Sequence, residues 1–192
     1  MKRNSLGKLI AVMLIVACSS AAILAFVYNL TKQPIKKSQD ARELAAIAEV
    51  VYGGFDNDPF KEKTYIATPD NKERLILFPA RRNGIINAVA IKTSTNKGFG
   101  GRMDLIVGFF LDGTISGFRV IKANETPGLG TKVNEHKFQE QFEGMNPKKH
   151  VFKVKQDGGD IDAVTAATIS SRAVIDAIQK AYDAYNKFSA GI

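Results

Sequence analysis

A chain of 192 residues, 45% hydrophobic and 24% charged, has room for one globular domain with a real core and is too apolar to be disordered throughout. Its formal charge of +8 would suit a nucleic-acid partner if it lay on the folded part, but residues 1–37 alone carry six basic and no acidic side chains. The other 155 residues hold 21 basic against 19 acidic groups; that balance excludes a nucleic-acid footprint and leaves the excess beside an apolar run, where lipid headgroups attract it.

Residues 1–8 read as a short basic tail. Leu9 to Leu30 follows as 22 residues without a charge, with Ser19, Ser20 and Asn29 its clearly polar members. As a helix rising about 1.5 Å per residue it reaches roughly 33 Å, enough to cross the hydrocarbon core of a bilayer. A cleaved signal peptide has a shorter apolar stretch, and the small residues Ser19-Ser20-Ala21-Ala22 are followed by further apolar residues up to Leu30. A lipoprotein signal ending at Cys18 would need a polar tether after it, which Ala21–Leu30 is not. The expectation is a retained, single-pass transmembrane helix over residues 9–30. Cys18 is the one cysteine, so no intrachain disulfide and no cysteine-based metal cluster can form. Three basic residues precede the span and three follow it closely, so charge alone does not orient it.

Residues 31–39, with Pro34 among them, read as a linker. Asp40–Val51 then has Leu44, Ile47, Ala48 and Val51 at helical spacing, and Gly53-Gly54 ends that helix. Strand signals dominate from Tyr65 to Val120: Leu75–Phe78, Ile85–Ile91, and a hairpin of Asp104–Leu111 and Thr114–Ile121 turned at Asp112-Gly113. Val151–Val154 is a further short strand candidate. Ser170–Phe188 is helical by spacing, with Val174, Ala177, Ile178, Ala181 and Tyr185 on one face. The expected fold class is α+β: a membrane helix, then one domain over residues 40–192 with a mostly antiparallel sheet and flanking helices.

Three segments break the regular pattern: Gly98-Phe99-Gly100-Gly101, Glu125-Thr126-Pro127-Gly128-Leu129-Gly130, and Asp162-Ala163-Val164-Thr165-Ala166-Ala167-Thr168. None has nucleotide-triphosphate or dinucleotide loop spacing. By themselves the first two read as turns, Pro127-Gly128 fitting the centre of a type II turn. The third places the hydroxyls of Thr165, Thr168, Ser170 and Ser171 directly before and into a helix. That pattern has two readings, helix capping or an anion site at a helix N-terminus. His136 and His150 lie in polar segments without a partner cluster, so metal ligation is not expected.

Residues 162–168 resemble the flavinylation motif of FMN-binding domains: Asp, two variable residues, Ser or Thr, usually Gly, then Ala-Thr. Glu125–Gly130 and Gly98–Gly101 resemble two further segments of that family, in the same order. The whole, with its anchor, is similar to the G subunits of Rnf electron-transport complexes; the C subunits of sodium-pumping quinone reductases are also similar, though usually longer. The resemblance implies FMN joined by its phosphate to Thr168, with Asp162, Thr165, Ala167, Glu125, Thr126, Gly128, Leu129, Gly130, Gly98, Phe99 and Gly100 contributing to its site. Within that set Phe99 and Leu129 pack either on the flavin ring or in their own loops. Glu125 either is solvated or orients the glycine turn, and Asp162 either caps a turn or is read by the attaching enzyme.

The resemblance further implies an electron-transfer subunit of a membrane-bound, ion-translocating ferredoxin–NAD oxidoreductase, with no independent catalysis. Its partners would be the other subunits, the lipid membrane of the cell and a separate flavin transferase, and its domain would lie on the extracytoplasmic side. Alternatives are a flavin subunit of a quinone reductase or other respiratory complex, and a membrane-tethered binding domain without redox chemistry. Ala166 stands where the motif usually has glycine; if the backbone there needs a positive φ, alanine costs about 1 kcal/mol.

Overall fold

The computed structural model describes residues 3–68 and 73–190; Met1 and Lys2 of the expected tail, and residues 69–72 and 191–192 of the expected domain, lie outside the described residues. The chain divides into two compact units, Met1–Arg42 and Glu43–Ile192. The first consists mostly of α1 (Arg3–Val50), a helix of 48 residues. Its large apolar side chains from Leu6 to Leu30 are exposed, a surface that lipid removes from water. By length and composition the helix is long and apolar enough to cross a membrane once. Helix continues through residues 31–39 with Pro34 inside it. Proline removes one N–H donor, and good helix formers on both sides (Lys32, Gln33, Lys36, Lys37) sustain the rest, so the linker segment is itself helical.

The last turns of α1 belong to the second unit. They bury Ala46, Ile47, Val50 and Val51, whereas Leu44 and Ala48 of the expected stripe are exposed. Periodicity admits both registers. The sheet selects one, because the cluster that receives the helix is built from small residues (Ala80, Ala88 and Ala90, with Phe78 and Ile106) that admit close approach. Gly53 and Gly54 then take φ of +90° and +70° and end the run as expected.

Strands β1 (Thr64–Ala67), β2 (Arg74–Arg82), β3 (Ile85–Gly98), β4 (Gly101–Phe110) and β5 (Ile115–Lys122) pair antiparallel in the order 1-2-3-4-5. Alternation along them supplies two faces. Leu75, Leu77, Val89, Ile91, Leu105 and Val107 look toward α3 (Thr168–Ser189), while Phe78, Ala80, Ala88, Ala90 and Ile106 take the end of α1. Burial on both faces explains the continuous apolar run from Ala88 to Ile91, whereas Ile85 at the start of the strand is exposed. At the β4–β5 turn Asp112 accepts from both the backbone N–H and the hydroxyl of Thr114, which hold its carboxyl below the ordinary value of 3.8, and Gly113 takes φ +81°.

After β5 the chain makes short 3₁₀ turns and α2 (His136–Gln139), pinned by an edge-to-face cluster in which Phe118 meets Phe142 at 5.1 Å and Phe138 meets Phe142 at 5.3 Å. His136 Nδ1 lies 3.0 Å from the Glu140 carboxylate, and His150 Nδ1 lies 3.1 Å from the Asn146 carbonyl. Val151–Val154 is not a strand: it contributes one isolated bridge, Val154 to Ile161. The Asp157-Gly158-Gly159 turn folds the segment back on itself, and Gly159 meets the Lys153 carbonyl so closely that a Cβ would lie 2.1 Å away, leaving its edge no room for a ladder.

Docking of α1 depends on one glycine. A Cβ on Gly108 of β4 would lie 2.3 Å from the Val50 carbonyl oxygen and 2.4 Å from Ser116 Oγ, which itself donates to that carbonyl. Gly108→Ala is therefore expected to lower stability by about 1–3 kcal/mol, the usual range for forced overpacking. Chemical denaturation of the soluble unit measures it; an unchanged midpoint would show that the helix end is free to shift.

Candidate functional site

Helix α3 begins at Thr168, two residues earlier than its apolar stripe suggests. The residue before it, Ala167, has φ −137° and ψ 41°, and no side chain caps the helix. The hydroxyls are thus not spent on capping. Ser171 Oγ donates to the Ala167 carbonyl at 3.0 Å and accepts from the Val164 N–H at 2.9 Å, which holds the preceding turn against the helix. Ser170 Oγ donates to Glu125 at 2.6 Å. Half-buried Thr168 has no hydrogen-bond partner for its hydroxyl among the described residues. Helix geometry leaves the N–H groups of the first turn without intrahelical acceptors, at the positive end of a 22-residue helix. Such an end suits a phosphate.

Glu125 joins the three unusual segments. It is only 6% exposed; one carboxylate oxygen accepts from Ser170, and the other accepts from the Gly100 N–H at 3.2 Å. Gly98 to Gly101 close the β3–β4 turn, with Gly98 paired to Gly101 and Phe99 at the tip. A Cβ on Gly98 would lie 2.6 Å from Glu125 Oε1, and one on Gly130 would lie 2.4 Å from Oε2. On Gly100 it would lie 1.8 Å from the Asn124 carbonyl oxygen. Glycine is needed at all three because backbone and carboxylate come too close for any side chain. Pro127-Gly128 forms the expected turn: Leu129 N–H donates to the Thr126 carbonyl at 3.2 Å, with Gly128 at φ +75°.

The three segments surround a pocket of about 350 Å³ lined by Phe99, Glu125, Thr126, Leu129, Gly130 and residues 166–170. Its rim carries three large apolar side chains open to solvent, Phe99 (69% exposed), Leu129 (43%) and Ile169 (49%). A partner-free hydroxyl at a helix N-terminus below an apolar rim is the donor set that a phosphate attached to a flat aromatic ring requires, so the residues present fit FMN.

Of the residues singled out from sequence, Thr168, Ala167, Glu125, Thr126, Leu129, Gly130 and Phe99 line this pocket. Gly98 and Gly100 stand behind it against Glu125 and Asn124, and Gly128 only shapes its turn. Asp162 and Thr165 face a neighbouring groove of about 640 Å³ that also includes Lys132 and Gln141. There Asp162 pairs with Lys155 at 2.6 Å, and its backbone N–H donates to Gln141 at 2.8 Å. Sequence reasoning missed Ala166 and Ile169 as lining residues and Ser170 as the partner of Glu125. Ile169 had a legible signal, being apolar yet off the buried stripe of α3. Further along α3, Arg172 forks onto Asp157 at 2.7 and 2.8 Å, which lowers the Asp157 carboxyl below its ordinary value. Burial pushes the Asp176 carboxyl upward, but hydrogen bonds from Lys97 and Thr95 on β3 outweigh it and leave the group lowered, tying α3 to the sheet.

Residues 98–183 match the FMN-binding domain family, a span that contains all three segments. Over 96% of its length the chain is 32% identical to the G subunit of the ion-translocating oxidoreductase complex of Vibrio atlanticus, covering 92% of that protein. To the corresponding protein of Methanosarcina acetivorans it is 33% identical, with 94% of both chains covered. The chain belongs to the family of G subunits of ion-translocating oxidoreductase complexes. The crystal structure of Shewanella oneidensis NqrC shares the fold, with a TM-score of 0.51 at 21% identity over 71% of this chain and 74% of that one.

In this member of the family the turn before α3 carries backbone strain. Ala166 sits at φ +62°, the left-handed region that alanine adopts at a penalty. Ala166→Gly is expected to stabilise the domain by about 1 kcal/mol at most, because the strain relieved is partly offset by the greater freedom of glycine in the unfolded chain. Thermal or chemical denaturation measures this. A clear loss of stability would mean that the methyl group contributes packing that outweighs the strain.

Proposed function

We propose that this chain is the electron-transfer subunit of a membrane-bound, ion-translocating ferredoxin–NAD oxidoreductase of the Rnf type, holding FMN as a phosphoester on Thr168. One observation carries the reading: three separated segments meet around one pocket, and the Thr168 hydroxyl stands at the start of α3 with no partner of its own among the described residues. Bound FMN would supply one- and two-electron chemistry at its ring. The chain supplies placement. The first turn of α3 would hold the phosphate, an ester on Thr168 would prevent loss of the cofactor, and Phe99, Leu129 and Ile169 would offer an apolar seat to the ring. No acid–base pair for substrate chemistry joins them in the pocket lining, which suits a relay that exchanges electrons with neighbouring subunits.

Attachment would be made by a separate flavin transferase using FAD. In-gel flavin fluorescence after denaturation tests it directly: the wild-type band should fluoresce, its Thr168 peptide should gain the mass of FMN less water, and Thr168→Val should be dark. A fluorescent Thr168→Val chain would overturn the assignment.

The proposal includes a topology, with α1 held in the cell membrane and the domain on the extracytoplasmic side, where free FMN is scarce and a covalent link prevents its loss. Single cysteines placed beyond residue 42 in a Cys18→Ser background should react with a membrane-impermeant thiol reagent added to intact cells. Reaction only after the cytoplasm is opened would reverse the orientation.

A further inference from the structure

We propose that Glu125 is a positioning residue for Thr168, holding the first turn of α3 from a distant loop. The proposal deepens the covalent FMN reading and rests on it. A local N-cap side chain would take the N–H of the second or third helical residue. Ala167 has no acceptor to offer, so those donors stay available to an anion. Glu125, 45 residues away in sequence, instead accepts the side-chain hydroxyl of Ser170, the third residue of the helix. The first turn is thereby held in place without its backbone donors being consumed.

The fit leaves the carboxylate little freedom. Gly98 closes against one oxygen and Gly130 against the other, and a Cβ on Gly130 would also lie 2.7 Å from Ser170 Oγ. A side chain at either glycine would displace the carboxylate from this position. Among the described residues no cation forms an ion pair with Glu125; its hydrogen bonds come from the Ser170 hydroxyl and the Gly100 N–H. Through Gly100, the same carboxylate fixes the turn that carries Phe99. One group therefore sets two sides of the pocket, the reacting hydroxyl and the apolar rim.

In attachment, the Thr168 oxygen bonds to the phosphorus on the flavin side of FAD. The pyrophosphate bond breaks, AMP departs, and the hydroxyl proton is lost to a base of the transferase or to water. Misplacing the attacking oxygen by a fraction of an ångström slows such a step by one to two orders of magnitude. Glu125 touches neither oxygen nor phosphorus in this account; it acts through Ser170.

The test follows the fluorescent band over time in the full chain, incubated with transferase, FAD and a divalent metal at a temperature where circular dichroism shows every variant folded. Glu125→Ala and Ser170→Ala should each slow labelling about tenfold or more, and the double variant should be about as slow as the slower single one. Glu125→Gln should recover the rate to within about threefold of wild type, because its amide still accepts from Gly100 and can donate to Ser170. Ile178→Val, in the buried face of α3, serves as a control for lost stability alone. Labelling of Ser170→Ala at the wild-type rate would overturn the proposal, as would a slowing no greater than that of a control matched in Tm. Should Glu125→Ala fail to fold, Ser170→Ala and Glu125→Gln decide the question. An unlabelled wild-type chain would refute the covalent reading itself, whereas a labelled wild type with indifferent variants would refute only the role of Glu125.

Discussion

A single buried carboxylate holds the site together. Glu125 reaches the Gly100 N–H 25 residues before it and the Ser170 hydroxyl 45 residues after it, and glycines press on both of its oxygens. Removing one partner of such an arrangement leaves a polar group buried and unsatisfied, which costs about 1–3 kcal/mol, so the three loops hold one another in register. Everything that would contact a cofactor follows from that register: the tip of the β3–β4 turn, the glycine turn after β5, and the first turn of α3.

The sheet makes the convergence possible. In a five-stranded meander the β3–β4 turn, the chain leaving β5 and the start of α3 are brought to the same end, although α3 begins 46 residues after β5 stops. On one face α3 lies over Leu75, Leu77, Val89 and Ile91, and the Asp176 carboxylate ties it to Thr95 and Lys97. On the other face the end of α1 is seated against alanines and Gly108, with Lys92 bonded to Glu43 and Arg119 to Glu49 at its flanks. Helix α3 and the residues of α1 from Glu43 onward are thus packed on one sheet. The strain stored at Ala166 is tolerable because the Ser171 bonds on either side of the turn and the packing of α3 over-determine that conformation.

The family match and the pocket geometry concern the same part of the chain. Identity near 30% over nearly the whole chain places it among the G subunits, and the FMN-binding domain match spans the segments that form the pocket. The structure adds that the hydroxyls in the first turn of α3 divide their work: Ser170 and Ser171 hold the architecture, and Thr168 has no hydrogen-bond partner among the described residues. Of the two readings that the hydroxyl-rich sequence left open, capping finds no side-chain hydrogen bond among the described residues, since alanine precedes the helix.

Local periodicity marked the principal elements. The 22-residue apolar run, the β-hairpin at Asp112-Gly113, the closing helix and the motif ending at Thr168 are all legible in order along the chain, because each depends on residues a few positions apart. Only the tertiary structure decided the rest. It chose which face of residues 43–51 is buried, since two registers satisfy the same helical spacing and the alanine-lined sheet accepts one. It reduced Val151–Val154 to a single bridge because its neighbour is a tight turn rather than a strand. It also made Glu125 a structural keystone rather than a solvated loop charge. No spacing rule links residue 125 to residues 100 and 170; burial and hydrogen bonding act on distance in space, which the order of residues does not record.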